Sequence, residues 1–283
     1  MPKSQRLEDY ALIGDCETAA LVGLDGSIDW LCWPRFDAPA CFAALLGETG
    51  NGRWRIAPDE GGVCTTRSYL VDSLILETRF ETSAGVVTLT DFMPPRGEAC
   101  NLVRRVVGER GAVALRMELI VRFGYGATLP WVSRLDDDAV RFVAGPDMAV
   151  LRTAVAVRGE DMKTVADFTV KAGEIADFVL SHGPSWLAPP PAIDAARALT
   201  DTRAFWADWI AAGAAKGRCP PLARRSLITL KALTYAPTGG VVAAPTTSLP
   251  EKLGGVRNWD YRYCWVRDAS LTLRALMSAG HFD

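Results

Sequence analysis

Histidine is nearly absent from this 283-residue sequence, which has only His182 and His281. There is no H-E-x-x-H segment and no C-x-x-C pair, so the usual ligand sets for zinc are missing. Ser–His nucleophilic chemistry has little to draw on. A G-x-S-x-G elbow, a P-loop and a dinucleotide fingerprint are also missing. No metal and no organic cofactor is therefore expected. Neither sign of charge dominates: 31 Lys and Arg face 33 Asp and Glu, for a net charge of −2. That leaves no basic field to hold nucleic acid or an anionic membrane. No apolar run reaches the ~18 residues that suggest a membrane span, and residues 1–10 lack the apolar stretch of a secretory leader. The cysteines, at 16, 32, 41, 64, 100, 219 and 264, are odd in number. They read as buried free thiols of a reducing compartment, so a cytoplasmic location is expected. Asp136-Asp137-Asp138 lacks companion ligands and reads as an acidic hairpin turn.

The apolar fraction is 49% and the charged fraction 23%, which suffices to bury the core of one large domain or two modest ones. Through residue 188, short runs alternate with period two between turn signals, as half-buried strands do. Val113, Leu115, Met117, Leu119 and Val121 fall on one face, with Arg116, Glu118 and Arg122 on the other. Residues 74–80, 86–92, 102–107, 149–157, 163–170 and 175–180 read the same way. Asp25-Gly26 and Asn51-Gly52 suit tight hairpins, and one or two helical turns fit residues 39–46. Many short strands without interleaved helices imply an antiparallel sandwich.

The pattern then changes. Pro189-Pro190-Pro191 is a stiff breaker, and Leu199, Trp206, Trp209 and Ile210 recur at helical spacing. Pro220-Pro221 opens a second helix to about residue 235. A long loop over 241–265 leads to a last helix over 268–279, stopped by Gly280. The expected organisation is a sandwich over 1–188, a linker helix over 189–217 and a helical segment over 218–283.

The chemistry-bearing stretch begins at Ala244-Pro245-Thr246-Thr247-Ser248-Leu249-Pro250-Glu251. It continues with Arg257-Asn258-Trp259-Asp260-Tyr261-Arg262-Tyr263-Cys264-Trp265-Val266-Arg267-Asp268. Flat aromatics beside charged hydrogen-bonding groups suit a sugar, whose C–H face stacks on Trp or Tyr and whose hydroxyls need directional partners. Plainer readings stand beside this one. Asp268 could be a helix N-cap, the alternating aromatics could face a core, and Arg267 could pair with Asp260 at the surface.

This stretch resembles the first barrel-loop motif of glycoside hydrolase family 15, the glucoamylase, glucodextranase and bacterial trehalase family. Residues 18–37, running from Thr18-Ala19-Ala20 through Gly23-Leu24-Asp25-Gly26-Ser27-Ile28-Asp29-Trp30 to Phe36-Asp37, resemble the opening of that family's trehalase-like N-terminal β-sandwich. The resemblance implies an antiparallel β-sandwich followed by a linker helix and the first helices of an incomplete (α/α)6 barrel. It assigns Arg267 and Asp268 to hold a terminal glucosyl unit, Tyr261 to pack on the sugar and Trp265 to line the pocket. The implied substrate is an α-linked glucoside: trehalose, or a malto- or isomalto-oligosaccharide.

Family 15 inverts configuration with two glutamates on later barrel loops, whereas the last Glu here is Glu251, followed only by Asp260, Asp268 and Asp283. The chain is therefore expected to be a fragment that lacks its catalytic acid and base, is inactive alone and self-associates through the incomplete barrel. The alternatives are a non-catalytic carbohydrate-binding or interaction module and, more distantly, a phosphorolytic relative.

Overall fold

The structure, a computed structural model, describes residues 5–59, 63–136, 138–213 and 220–282. Asp137 of the acidic turn, Cys219, Asp283 and the expected 217/218 boundary lie outside the described residues. The strands of the N-terminal part are β1 Ala11–Gly14, β2 Ala19–Val22, β3 Ser27–Cys32, β4 Ala40–Phe42, β5 Arg53–Pro58, β6 Val63–Tyr69, β7 Leu76–Thr82 and β8 Gly85–Phe92. They continue with β9 Cys100–Ile120, β10 Trp131–Asp136, β11 Ala139–Ala144, β12 Asp147–Arg152, β13 Arg158–Glu160, β14 Lys163–Lys171 and β15 Ile175–Pro184. The neighbours pair antiparallel, and one strand joins two layers. The first layer runs β1-β2-β3-β5-β9-β14-β13 with β4 also on β3, and the second runs β6-β7-β8-β9-β15-β12-β11-β10.

The 21-residue β9 belongs to both layers, where the sequence pattern predicted two strands. Residues 103–107 lie between β8 and β15, and residues 115–119 between β5 and β14. Inward residues are even-numbered before the crossing (Leu102, Arg104, Val106) and odd-numbered after it (Val113, Leu115, Met117, Leu119). A strand has period two, so this switch requires an inserted residue. Val86 pairs with Arg110 and Val87 with Gly108, leaving Glu109 over, and Gly111 takes φ +66. The five aliphatics expected inside are each at most 2% exposed. Between the layers the Arg104 guanidinium donates to Asp91 (2.7 and 3.2 Å) and to the Trp54 and Gly26 carbonyls (2.6 and 2.7 Å).

Some local expectations are corrected. The run at 149–157 ends at Arg152. Residues 39–46 split into β4 and a single 3-10 turn at Ala44–Leu46, and a second 3-10 turn at Thr49–Asn51 replaces the tight hairpin before Gly52. The acidic turn sits between β10 and β11, where Asp138 N–H donates to Asp136 Oδ1 at 3.1 Å.

Three helices follow: α1 Ala195–Ala212, α2 Pro221–Ala232 and α3 Val266–Ser278. Asp194 caps α1 by accepting from Ala196 and Arg197 N–H (2.8 and 3.2 Å). Ala195 then seats against Ile75, Phe92, Val103 and Val179 on the outer face of the second layer. Trp206 of α1 and Ile228 of α2 pack with Cys16 and Leu74, so these helices bury their apolar sides largely on the sandwich. Two bonds close α3, Gly280 N–H to Met277 O and His281 N–H to Leu276 O, both 3.0 Å, with Gly280 at φ +85. No described helix is long and apolar enough to cross a membrane.

Candidate functional site

The expected long loop is a paired ribbon. After the short strands β16 Thr234–Tyr235 and β17 Gly240–Val241, residues 242–248 run against 259–264, with bridges at Val242–Cys264 and Thr247–Asp260. Ala244 N–H donates to Tyr261 O (2.9 Å), Tyr261 N–H to Thr246 O (3.2 Å) and Ser248 N–H to Trp259 O (2.7 Å).

The sandwich holds this ribbon at two points. Trp30 Nε1–H of β3 donates to Pro245 O at 2.7 Å. Arg262, only 8% exposed, donates to Ala38 O at 2.9 Å and approaches Cys32 Sγ at 3.4 Å, with its guanidinium 5.6 Å from the Tyr125 ring centre. It also donates to both Asp260 oxygens (2.9 and 2.7 Å). Asp260 thus pairs with Arg262 and not with Arg267, and Arg262 holds its carboxyl below the usual carboxylate range. The aromatic run does not face a core: Trp259 and Tyr263 are about half exposed, and the residue of the run that is buried is Arg262. Neither Trp30 nor Arg262 was picked out by the sequence as a ribbon anchor.

The four predicted residues come together at the ribbon's exit. Tyr261 and Trp265 meet edge to face, centroids 5.4 Å apart at 73°, and Trp259 also meets Trp265 edge to face at 6.2 Å. Trp265 Nε1–H donates to Asp260 O at 2.9 Å, which sets the indole. Trp265 is also the residue before α3. The helix therefore starts two residues earlier than expected, and Asp268 is its third residue and not its N-cap. There the carboxylate still sits in the favourable field of the helix start. Arg267 Nη2 donates to Asp268 Oδ2 at 2.8 Å, the two side chains being 61% and 28% exposed. The Tyr261 hydroxyl first, and Asp268 second, hold the Arg267 guanidinium above its usual range.

This patch can stack a pyranose on aromatic rings while offering hydroxyls a fork of donors and a carboxylate. Cleavage chemistry is a different matter. Glu251 accepts from Trp259 Nε1–H at 3.0 Å, Asp260 is engaged by Arg262, and Asp268 by Arg267. Among the described residues, no group of three or more His, Cys, Asp or Glu side chains is placed to hold a metal ion. Cys16, Cys32, Cys41 and Cys100 are buried as expected, and burial pushes the Cys16 thiol up to about 12 and Cys32 to about 11. Cys264, which borders a cavity of about 200 Å³ between the ribbon and Arg35–Asp37, is instead exposed, and Cys64 on β6 is only partly buried.

Residues 2–184 match the family described as trehalase-like, N-terminal, and residues 222–283 match glycosyl hydrolases family 15. The chain belongs to the trehalase-like glycosyl hydrolases of family 15. It is 33% identical to a trehalase of Mycolicibacterium smegmatis, over 97% of this chain and 45% of that protein. It is 34% identical to a trehalase of Mycobacterium tuberculosis, over 97% and 44% respectively. Trehalase 1 of Sulfolobus acidocaldarius shares 33%, over 97% and 46%. The chain thus spans about half the length of the relatives it matches. Its fold is similar to that of a bacterial glucoamylase solved with acarbose, with TM-score 0.69 and 13% identity over 98% of this chain and 48% of that one.

Proposed function

We propose that this chain supplies the glucosyl-binding wall of an inverting α-glucoside hydrolase, with trehalose as its substrate. The observation that carries the reading is that Tyr261, whose ring meets Trp265, also reaches by its hydroxyl the Arg267 of the Arg267–Asp268 pair. The relatives named trehalase at about one-third identity favour trehalose over malto- or isomalto-oligosaccharides. In this reading Tyr261 and Trp265 fix the plane of the terminal glucose. Arg267 donates to its hydroxyls and Asp268 accepts from them, positioning the anomeric carbon. Inversion needs an acid and a base roughly 6.5–9.5 Å apart. The nearby carboxylates are all engaged, so we assign that pair to glutamates outside these 283 residues. We read α1 as the linker helix and α2 and α3 as the first helices of an incomplete (α/α)6 barrel, with boundaries near 188 and 217. The exposed Leu222, Val266, Leu273 and Met277 suit helices that lack barrel neighbours and would drive self-association of the isolated chain, visible in light scattering. The six described cysteines are free, in keeping with a cytoplasmic location.

Glucose release from trehalose, maltose and starch tests this reading. The 283-residue chain should release none. In a polypeptide extended to the length of its relatives, Asp268→Ala should lower kcat/KM for trehalose by at least ~100-fold, through lost hydrogen bonds to substrate hydroxyls. Full activity with only a lower Tm would make Asp268 a helix-stabilising residue. An extended polypeptide that binds sugar but cleaves none would favour the carbohydrate-binding module.

A further inference from the structure

The two layers splay apart where the β10–β11 hairpin faces the β13–β14 hairpin, leaving a cavity of about 400 Å³ remote in sequence from the ribbon. That volume is within the roughly 300–1,000 Å³ of small-molecule sites. Its floor is apolar, made by Leu119, Val121, Val140, Phe142 and Val157, all buried. Its mouth is lined by apolar side chains that water reaches: Leu129, Val132 and Met162. Met162 is held there by an unusual turn. The two-residue loop between Glu160 and Lys163 is Asp161-Met162, with φ +48 and +62. Hairpins of this kind favour Asn-Gly, and a branched or long side chain in that region is strained.

The charges of the lining are unequal: Arg122, Arg134, Arg158 and Lys163 against Glu160 and Asp161. Most are already satisfied. Arg158 bridges Glu160 and Asp167, Lys163 bridges Glu118, and Arg134 donates to the Val157 carbonyl. Arg122 differs. Its guanidinium donates to two carbonyls, Val121 O at 2.8 Å and Met162 O at 3.2 Å, and no carboxylate among the described residues pairs with it. Burial without a counter-charge holds it below its usual range, so an arriving anion would relieve a standing cost.

We propose that this cavity is a binding site for a small amphipathic carboxylate, its apolar body between the layers and its carboxyl on Arg122. One uncompensated guanidinium, with Asp161 at the rim, matches a single negative charge and disfavours a phosphate dianion. The planar fork of Arg122 fits a carboxylate. The site is independent of the sugar patch and of the hydrolase reading.

Octanoate and octanol, titrated into the 283-residue chain with methyl-labelled Val and Leu, test it by NMR. Octanoate should give saturable shifts at Leu119, Val121, Val140 and Val157 and bind more tightly than octanol. Arg122→Met should weaken octanoate about 10-fold and leave octanol unchanged. Val132→Trp, at an exposed position of the mouth, should block both ligands without touching the core. Shifts absent or scattered over the surface, or equal octanoate affinity in wild type and Arg122→Met, would overturn the proposal.

Discussion

Replacing Arg262 by Met should release the ribbon that carries Tyr261 and Trp265 from the sandwich without unfolding the sandwich itself. The substitution keeps much of the aliphatic bulk but removes both bonds to Asp260 and the bond to Ala38 O. Stranding one partner of a fully buried ion pair costs ~3–5 kcal/mol. Asp260 keeps 32% of its side chain in water, so screening cuts that share to about 1–2 kcal/mol. The lost bond to Ala38 O adds about 1 kcal/mol. A local loss of about 2–3 kcal/mol corresponds to roughly 30–150-fold faster opening of the ribbon. Amide hydrogen exchange reads this directly at Ala244, Ser248 and Tyr261, whose N–H groups are paired across the ribbon. The amides of β9 and β15 should keep their protection. Unchanged exchange at these three amides in Arg262→Met would refute the claim that Arg262 anchors the site.

Acid should loosen the same contact. Arg262 depresses the Asp260 carboxyl, so its contribution is full above the ordinary Asp value of ~3.9 and is lost as pH falls through the lower folded value. Ribbon protection factors in wild type, taken against the intrinsic exchange rate at each pH, should therefore fall below about pH 4, and Asp260→Asn should remove that dependence while starting from a looser ribbon. In the core, Arg104→Met strands a fully buried Asp91 and should cost ~3–5 kcal/mol in denaturant unfolding. The double change Arg104→Met with Asp91→Leu should recover most of that loss.

The sandwich was legible because its strands have one wet and one dry face, which alternation reports directly. The 113–121 run is the clearest case. What alternation does not report is the sharing of β9 between layers: the bulge at Glu109 resets the phase, so one strand reads as two. The start of α3 was read two residues late, since Trp265 and Val266 look like the end of an aromatic run. The four candidate residues were singled out only through resemblance. Spacing alone left an Asp268 cap, a core-facing run and an Arg267–Asp260 pair open; in the structure Asp268 is the third residue of α3, Trp259 and Tyr263 are about half exposed, and Asp260 pairs with Arg262. Arg262 was missed for a physical reason. A charge between two tyrosines reads as solvent-facing, whereas its partners Ala38 and Cys32 lie 224 and 230 residues away in sequence.

The most direct test of the central claim is trehalose titrated into the chain while the Trp265 indole N–H is followed by NMR, in wild type and Asp268→Ala. That proton is fixed on Asp260 O beside the Tyr261 ring, so a sugar seated on the patch must shift it. The account predicts a saturable shift in wild type that is lost in Asp268→Ala, with the indole signals of the buried Trp54 and Trp206 unmoved. A Trp265 signal indifferent to trehalose, or one that moves equally in both proteins, would contradict it.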